Sequence, residues 1–190
     1  MKTARRVLIF VDSDNIFITA QSFNRKLDWH RLRDYLADPK EGRELIEMVI
    51  YVGLPPNRDR FIESRKTKEK FVAWAKSSGY LVVTKDGKPK GDEYLTNVDV
   101  VMAMDAIEFA LETKPDIVVL VTGDSDFAFL AEKLRRRGIR VEVASVEQSL
   151  GSELKKAANS VVDLTEIFDG LEAQNTDRDY FRIGNANIFD

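Results

Sequence analysis

The stretch LIFVDSDNIF, Leu8 to Phe17, is an apolar run that stops at Asp12 and is followed at once by Asp14 and Asn15. A near echo, VVLVTGDSDF, occupies Val118 to Phe127. Each reads as a buried strand running into a cluster of carboxylates. Three further runs rich in Val, Ile and Tyr, EMVIYVG, YLVVTK and RVEVASV, share the strand pattern. Between them lie stretches that read as helices: NVDVVMAMDAIEFALET, and two that close on a glycine, RDRFIESRKTKEKFVAWAKSSG and SDFAFLAEKLRRRG. Strands apolar throughout and alternating with helices imply an α/β fold, a Rossmann-like parallel sheet flanked by helices on both faces. The expected strand order is the doubly wound 3-2-1-4-5. It makes the first and fourth strands neighbours, and ligands bind at the carboxyl ends where the winding reverses. Asp12 and the pair Gly123-Asp124 then meet at that place.

With 190 residues the chain is long enough for one sizeable core. We expect a single domain over residues 1–168 and a polar C-terminal arm or tail over 169–190, where periodicity is lost. Hydrophobic residues are 44% and charged residues 32%, as in ordinary globular proteins. No apolar run approaches the roughly 20 residues that span a bilayer. The start MKTARRVLIFVD has a basic end and an apolar run, but that run is short and ends in acids. It reads as a first strand rather than a signal peptide, so the expected location is cytoplasmic. Without cysteine, disulfides and thiolate metal sites are excluded. His30 is the only histidine, which argues against a catalytic triad or a histidine-based zinc site; it reads as a surface or packing residue. A net charge of −3 argues against bulk coating of nucleic acid and leaves room for local basic patches.

A third acid arrives by helical geometry. At 100° per residue Asp105, Glu108 and Glu112 form one polar stripe, and Asp99 points away from it with Ala103, Ala106 and Ala110. Asp12, Asp99, Asp124 and Asp126 are therefore expected to converge. Two unit charges about 5 Å apart repel by roughly 3 kcal/mol at an effective dielectric near 20, so such a cluster calls for a cation. Oxygen-only ligands favour a hard ion, Mg2+ or Mn2+. An ion held this way suits nuclease or phosphotransfer chemistry. Asn15 would orient a phosphate or water beside it. Lys85, Lys88 and Lys90, in the loop TKDGKPKGDEY at the same edge, would grip a phosphate backbone.

Plainer roles compete. Ser13 and Asp14, and likewise Ser125 and Asp126, suit helix caps; capping is the expectation for Asp14 and Ser125, and function for Asp12 and Asp124. Asp105, on the polar stripe, reads by periodicity as solvated. Of Arg58, Arg60, Phe61, Arg65, Lys66, Lys68, Lys70 and Phe71, the aromatics read as core and the charges as exposed.

FVDSDNIF and TGDSDF together, with the aspartates six residues apart in NVDVVMAMDAI, resemble the NYN domain, a PIN-like nuclease family that includes LabA-like bacterial proteins. The resemblance runs from about Val7 to Leu164. It implies a PIN-like fold and a metal-dependent ribonuclease acting on RNA, with single-stranded RNA the better guess. By position Asp12, Asn15, Asp99, Asp124 and Asp126 match the family's acidic site, and Asp105 its second helix aspartate. Two departures stand out: GDEYLTN lies before the middle motif, and Asn159 stands where an aspartate is usual. A homodimer is compatible with this reading, and no membrane partner is expected. A second reading is a non-catalytic regulator of the LabA-like type that binds nucleic acid or a nucleotide. A third is a haloacid-dehalogenase-like phosphatase, with Asp12 as nucleophile and Asp14 as acid and base. Ile16 and the missing acid near Ala128 fit that family poorly.

Overall fold

Val7 to Val11 are fully buried on both faces of strand β1 (Arg5–Asp12), which marks it as the centre of the sheet. The computed structural model describes residues 3–169. In chain order β1 is followed by α1 (Ser13–Ser22), α2 (Trp29–Leu36), β2 (Arg43–Leu54), α3 (Ile62–Ser77) and β3 (Leu81–Asp86). A short pair, β4 (Lys88–Lys90) and β5 (Glu93–Leu95), precedes α4 (Val98–Thr113). The second half holds β6 (Ile117–Val121), α5 (Ala128–Arg135), β7 (Arg140–Ser145), α6 (Ser152–Ala157), β8 (Ser160–Asp163) and α7 (Thr165–Asp169). The sheet runs β3-β2-β1-β6-β7-β8, and every pairing in it is parallel.

The five expected strands stand in the expected order, and two features extend it. Strand β8 adds a sixth member at the edge. Its four residues alternate between half-buried and exposed, too short a signal for a buried parallel strand. Asn159 joins it to β7: its N–H donates to the Val141 carbonyl and its Oδ1 accepts from the Val141 N–H, both at 2.8 Å. Part of the expected lysine loop is an antiparallel hairpin, β4 paired with β5. The tail expected over 169–190 lies outside the described residues from 170 onward. Among the described residues no helix is long and apolar enough to cross a membrane.

The pleat sends alternate side chains to opposite faces. Val7, Ile9 and Val11 enter a core with residues of α1, α2, α3 and α7, whereas Leu8 and Phe10 enter one with α4, α5 and α6. Burial of each large apolar side chain is worth about 1.5–3 kcal/mol, so both layers are held firmly to β1. Phe17, Trp29 and Phe71 pack with ring centroids 5.1–5.6 Å apart. His30 takes the packing role: its ring stacks on Tyr80, and its Nδ1 lies 2.9 Å from the Tyr80 hydroxyl.

Candidate functional site at the strand ends

Strand β1 ends at Asp12, in register with Tyr51 of β2, and β6 ends two residues before Gly123. Thr122, fully buried, ties the two ends together. Its Oγ1 donates to Asp12 Oδ2 at 3.3 Å and accepts from the Asp124 N–H at 3.2 Å. Asn15 makes a second tie, its Oδ1 accepting from the Gly123 N–H at 2.9 Å. A third runs from the Gly151 N–H to the Gly123 carbonyl at 2.8 Å. A Cβ on Gly123 would stand 1.9 Å from the Ser149 carbonyl oxygen, so only glycine fits there.

The caps fall on Asp12 and Asp124, not on Asp14 and Ser125 as the sequence suggested. Asp12 Oδ1 accepts from the Asn15 N–H at 3.2 Å at the start of α1. Asp124 Oδ1 accepts from the Asp126 N–H at 2.9 Å at a 3-10 turn, Ser125–Phe127. Both acids therefore hold their own loops as well as facing the sheet edge. Burial pushes the Asp12 carboxyl up from 3.8 to about 6; the Asn15 N–H and Thr122 hydroxyl pull it down, and the charges of Asp14 and Asp124 add to the rise. Burial and the two neighbouring acids outweigh its two hydrogen-bond donors, so its charged form is disfavoured.

The other acids are dispersed. Asp126 is exposed, and Asp99, in the first turn of α4, is half-buried, its side chain making no hydrogen bond among the described residues. Asp105 departs from the solvated expectation: it is half-buried, and its Oδ2 accepts from the Tyr51 hydroxyl at 3.2 Å. Burial first, and then the Asp105 charge and hydrogen bond, raise the Tyr51 phenol far above its ordinary value. Asp14 pairs with Lys68 Nζ at 2.6 Å, and the same ammonium donates to the Gly53 carbonyl at 2.7 Å. Lys68 is buried, which corrects the expectation that this charge run is wholly exposed. Its spacing with Phe71 and Ala75, the other buried residues of α3, is the signal that places it inward. Thr122 was likewise not singled out from the sequence.

Lys85 is the last residue but one of β3, Lys88 and Lys90 flank Pro89 in β4, and all three are exposed. Their hairpin is braced from below. Tyr94 packs edge-on against Phe61 at 5.4 Å, Arg60 donates to the Gly91 carbonyl and pairs with Asp92, and Thr96 fills the space above Gly53.

A divalent ion requires converging oxygens. Among the described residues no group of three or more acidic or imidazole side chains is arranged to hold one. The pair Asp12 and Asp124 remains, linked through Thr122 and electrostatically coupled. Mg2+ is commonly held by one or two carboxylates, with water and substrate phosphate completing its shell. The pair fits that kind of site and not an all-protein cage.

Relatives place the architecture. The low amplitude and bright protein LabA of Synechococcus elongatus is 29% identical over 174 residues, covering 88% of each chain. An uncharacterised protein of Methanocaldococcus jannaschii is 35% identical over 170 residues, 88% of this chain and 58% of that one. A solved protein of unknown function from Vibrio parahaemolyticus shares the fold, with a TM-score of 0.67 at 23% identity, covering 87% of this chain and 98% of the other. The family model for the NYN domain matches residues 6–165, spanning both strand-end acid clusters and the helix between them. The chain belongs to the NYN domain family, whose folds are PIN-like.

Proposed function

We propose that this NYN domain is a metal-dependent ribonuclease that hydrolyses phosphodiester bonds of single-stranded RNA. The observation that carries the reading is the junction of half-buried Asp12 and Asp124 through buried Thr122, where a carboxylate whose charge is disfavoured sits at the sheet's carboxyl edge. Asp12 and Asp124 would hold Mg2+ or Mn2+, with Asp99 and Asp126 the acids next in line and Asp105 a more remote candidate. Such an ion, when bound, supplies Lewis-acid polarisation of a phosphate oxygen and of water. The chain's own residues do the positioning. Asn15 spends its oxygen on Gly123 and keeps its two amide hydrogens for a phosphate or water. Thr122 holds the two acids at a fixed separation. Lys85, Lys88 and Lys90 take the phosphate backbone.

The competing reading is a non-catalytic regulator of the LabA-like type that binds nucleic acid or a nucleotide. The dispersal of Asp99, Asp105 and Asp126 away from a three-acid group favours it. The dehalogenase-like phosphatase has less support, because the Asp14 that would serve as its acid and base is committed to Lys68.

Labelled single-stranded RNA with Mn2+ distinguishes the two leading readings. The nuclease reading expects fragments that chelator suppresses and that Asp124→Asn, purified in parallel, does not produce. Asparagine keeps the Oδ1 that caps the turn, so circular dichroism should be unchanged. Equal behaviour of wild type and variant across varied RNAs hands the lead to the regulatory reading.

A further inference from the structure

Helix α4 is apolar on two opposite faces, and the sheet uses only one. Val98, Met102, Ala106 and Ala110 are buried against it. On the far side Val100, Met104 and Leu111 are 52%, 67% and 48% exposed, with Ile107 half-buried among them. At 100° per residue these four fall within an arc of about 60°. A helix lying on the surface of a monomer turns charged and polar residues outward instead. The neighbouring α5 packs against α4 and carries an exposed apolar residue of its own, Phe129, 62% exposed, whose ring lies 5.1 Å from Lys133 Nζ. Phe129, Lys133 and Arg136 share one face of α5 and its end by the same spacing.

Charge identifies the occupant. Every charged residue of α4 is acidic, and Glu108 and Glu112, beside the outward stripe, make no ion pair among the described residues. The outer side of α5 and its end carry Lys133, Arg135, Arg136 and Arg137 against one acid, Glu132, which forms an exposed pair with Arg136 at 3.4 Å, so the balance there is basic. Both helices start at the carboxyl edge of a parallel sheet and return to its amino edge, so they run parallel. Strands β6 and β7 begin in register, so Glu108 and Glu112 on α4 and Lys133 and Arg136 on α5 lie towards the same amino edge, with Val100, Met104 and Phe129 in the halves nearer the carboxyl edge.

We infer that this face binds a second copy of the chain, about a two-fold axis along the helices that lays α4 of each copy on α5 of the other. Each contact then occurs twice, as an isologous interface requires. Apolar side chains fill the middle and opposite charges meet at the rim, the usual anatomy of an interface. Laying α4 on α4 instead would oppose acid to acid.

The test is the sedimentation mass of the full chain across micromolar concentrations, which does not depend on RNA cleavage. Wild type should sediment as a dimer, and Met104→Glu, at a largely exposed position, as a monomer with an unchanged circular dichroism spectrum. Should that variant fold poorly, Phe129→Ser on the other helix gives the same readout. Glu108→Lys with Glu112→Lys should weaken the dimer at least tenfold, and adding Lys133→Glu with Arg136→Glu should restore it. A wild type monomeric at the highest concentration overturns the inference and leaves the face to another partner. A dimer indifferent to Met104→Glu and Phe129→Ser overturns it too, because the contact would then lie elsewhere.

Discussion

Burial lifts the Asp12 carboxyl from 3.8 to about 6, with Asp14 and Asp124 adding to the rise. A carboxyl whose folded pKa is raised costs stability once it ionises. The cost is full above pH 6, disappears below the unfolded value, and amounts to about 3 kcal/mol. Urea unfolding should therefore show stability falling as pH rises from about 4 to 6. Asp12→Asn should remove that segment of the profile while keeping an acceptor for the Asn15 N–H; an unchanged slope would refute the assignment. Millimolar Mg2+ at neutral pH should raise the melting temperature of wild type and not of Asp12→Asn, since an ion offsets the charge only where there is one. The strand-end position of Asp12 was legible from the abrupt stop of LIFV at an acid. Its second duty as a cap was not, because Ser13 and Asp14 offer the same cap chemistry one and two residues on. Lys68 shows the reverse case. Sequence reads a lysine as solvated, and the ion pair with Asp14 and the hydrogen bond to the Gly53 carbonyl make its burial tolerable. Lys68→Met should cost about 1–3 kcal/mol in the same assay by leaving both partners unmatched.

At the scale of elements, the strands with continuous Val, Ile and Leu runs were legible because parallel strands buried on both faces need them. Strand β8 has two valines and one neighbour, and β4 and β5 have three residues each, so neither carries a pattern long enough to read. Asp105 belongs to the same lesson. Helical periodicity set it on the polar stripe, and the Tyr51 hydroxyl on β2 made that position half-buried. The loop after β6 depends on an approach no sequence pattern announces. There the Ser149 carbonyl stands where a Gly123 side chain would be. Gly123→Ala should force that loop away from the segment before α6 and cost about 1–3 kcal/mol, the usual penalty of overpacking. Thermal unfolding reads the loss. A variant as stable as wild type would mean that the Ser149 segment yields without consequence.

Taken as a whole, the molecule is weakly acidic, with a net charge of −3, so its field does not draw polyanions to it at large. Any grip on RNA must come from a local array, and the hairpin beyond β3 is the candidate. Lys88 and Lys90 are exposed on it and Lys85 beside it on β3, at the carboxyl edge of the sheet that also carries Asp12 and Asp124. The braces from Tyr94, Arg60 and Thr96 hold the array to the domain, which limits the ordering entropy lost on binding. Each phosphate contact on a single strand contributes about 0.7 to the slope of log affinity against log salt. Replacing all three lysines by glutamine should therefore weaken RNA binding for every sequence tried and flatten that slope by about two. Fluorescence anisotropy with labelled single strands at a series of salt concentrations gives both quantities, preferably in Asp124→Asn so that cleavage does not erode the signal. A slope unchanged by the triple replacement would return the hairpin to solvent and require the phosphates to lie elsewhere. Weaker binding of one sequence alone would instead mean that the lysines read bases, because contacts to the backbone carry no sequence information of their own.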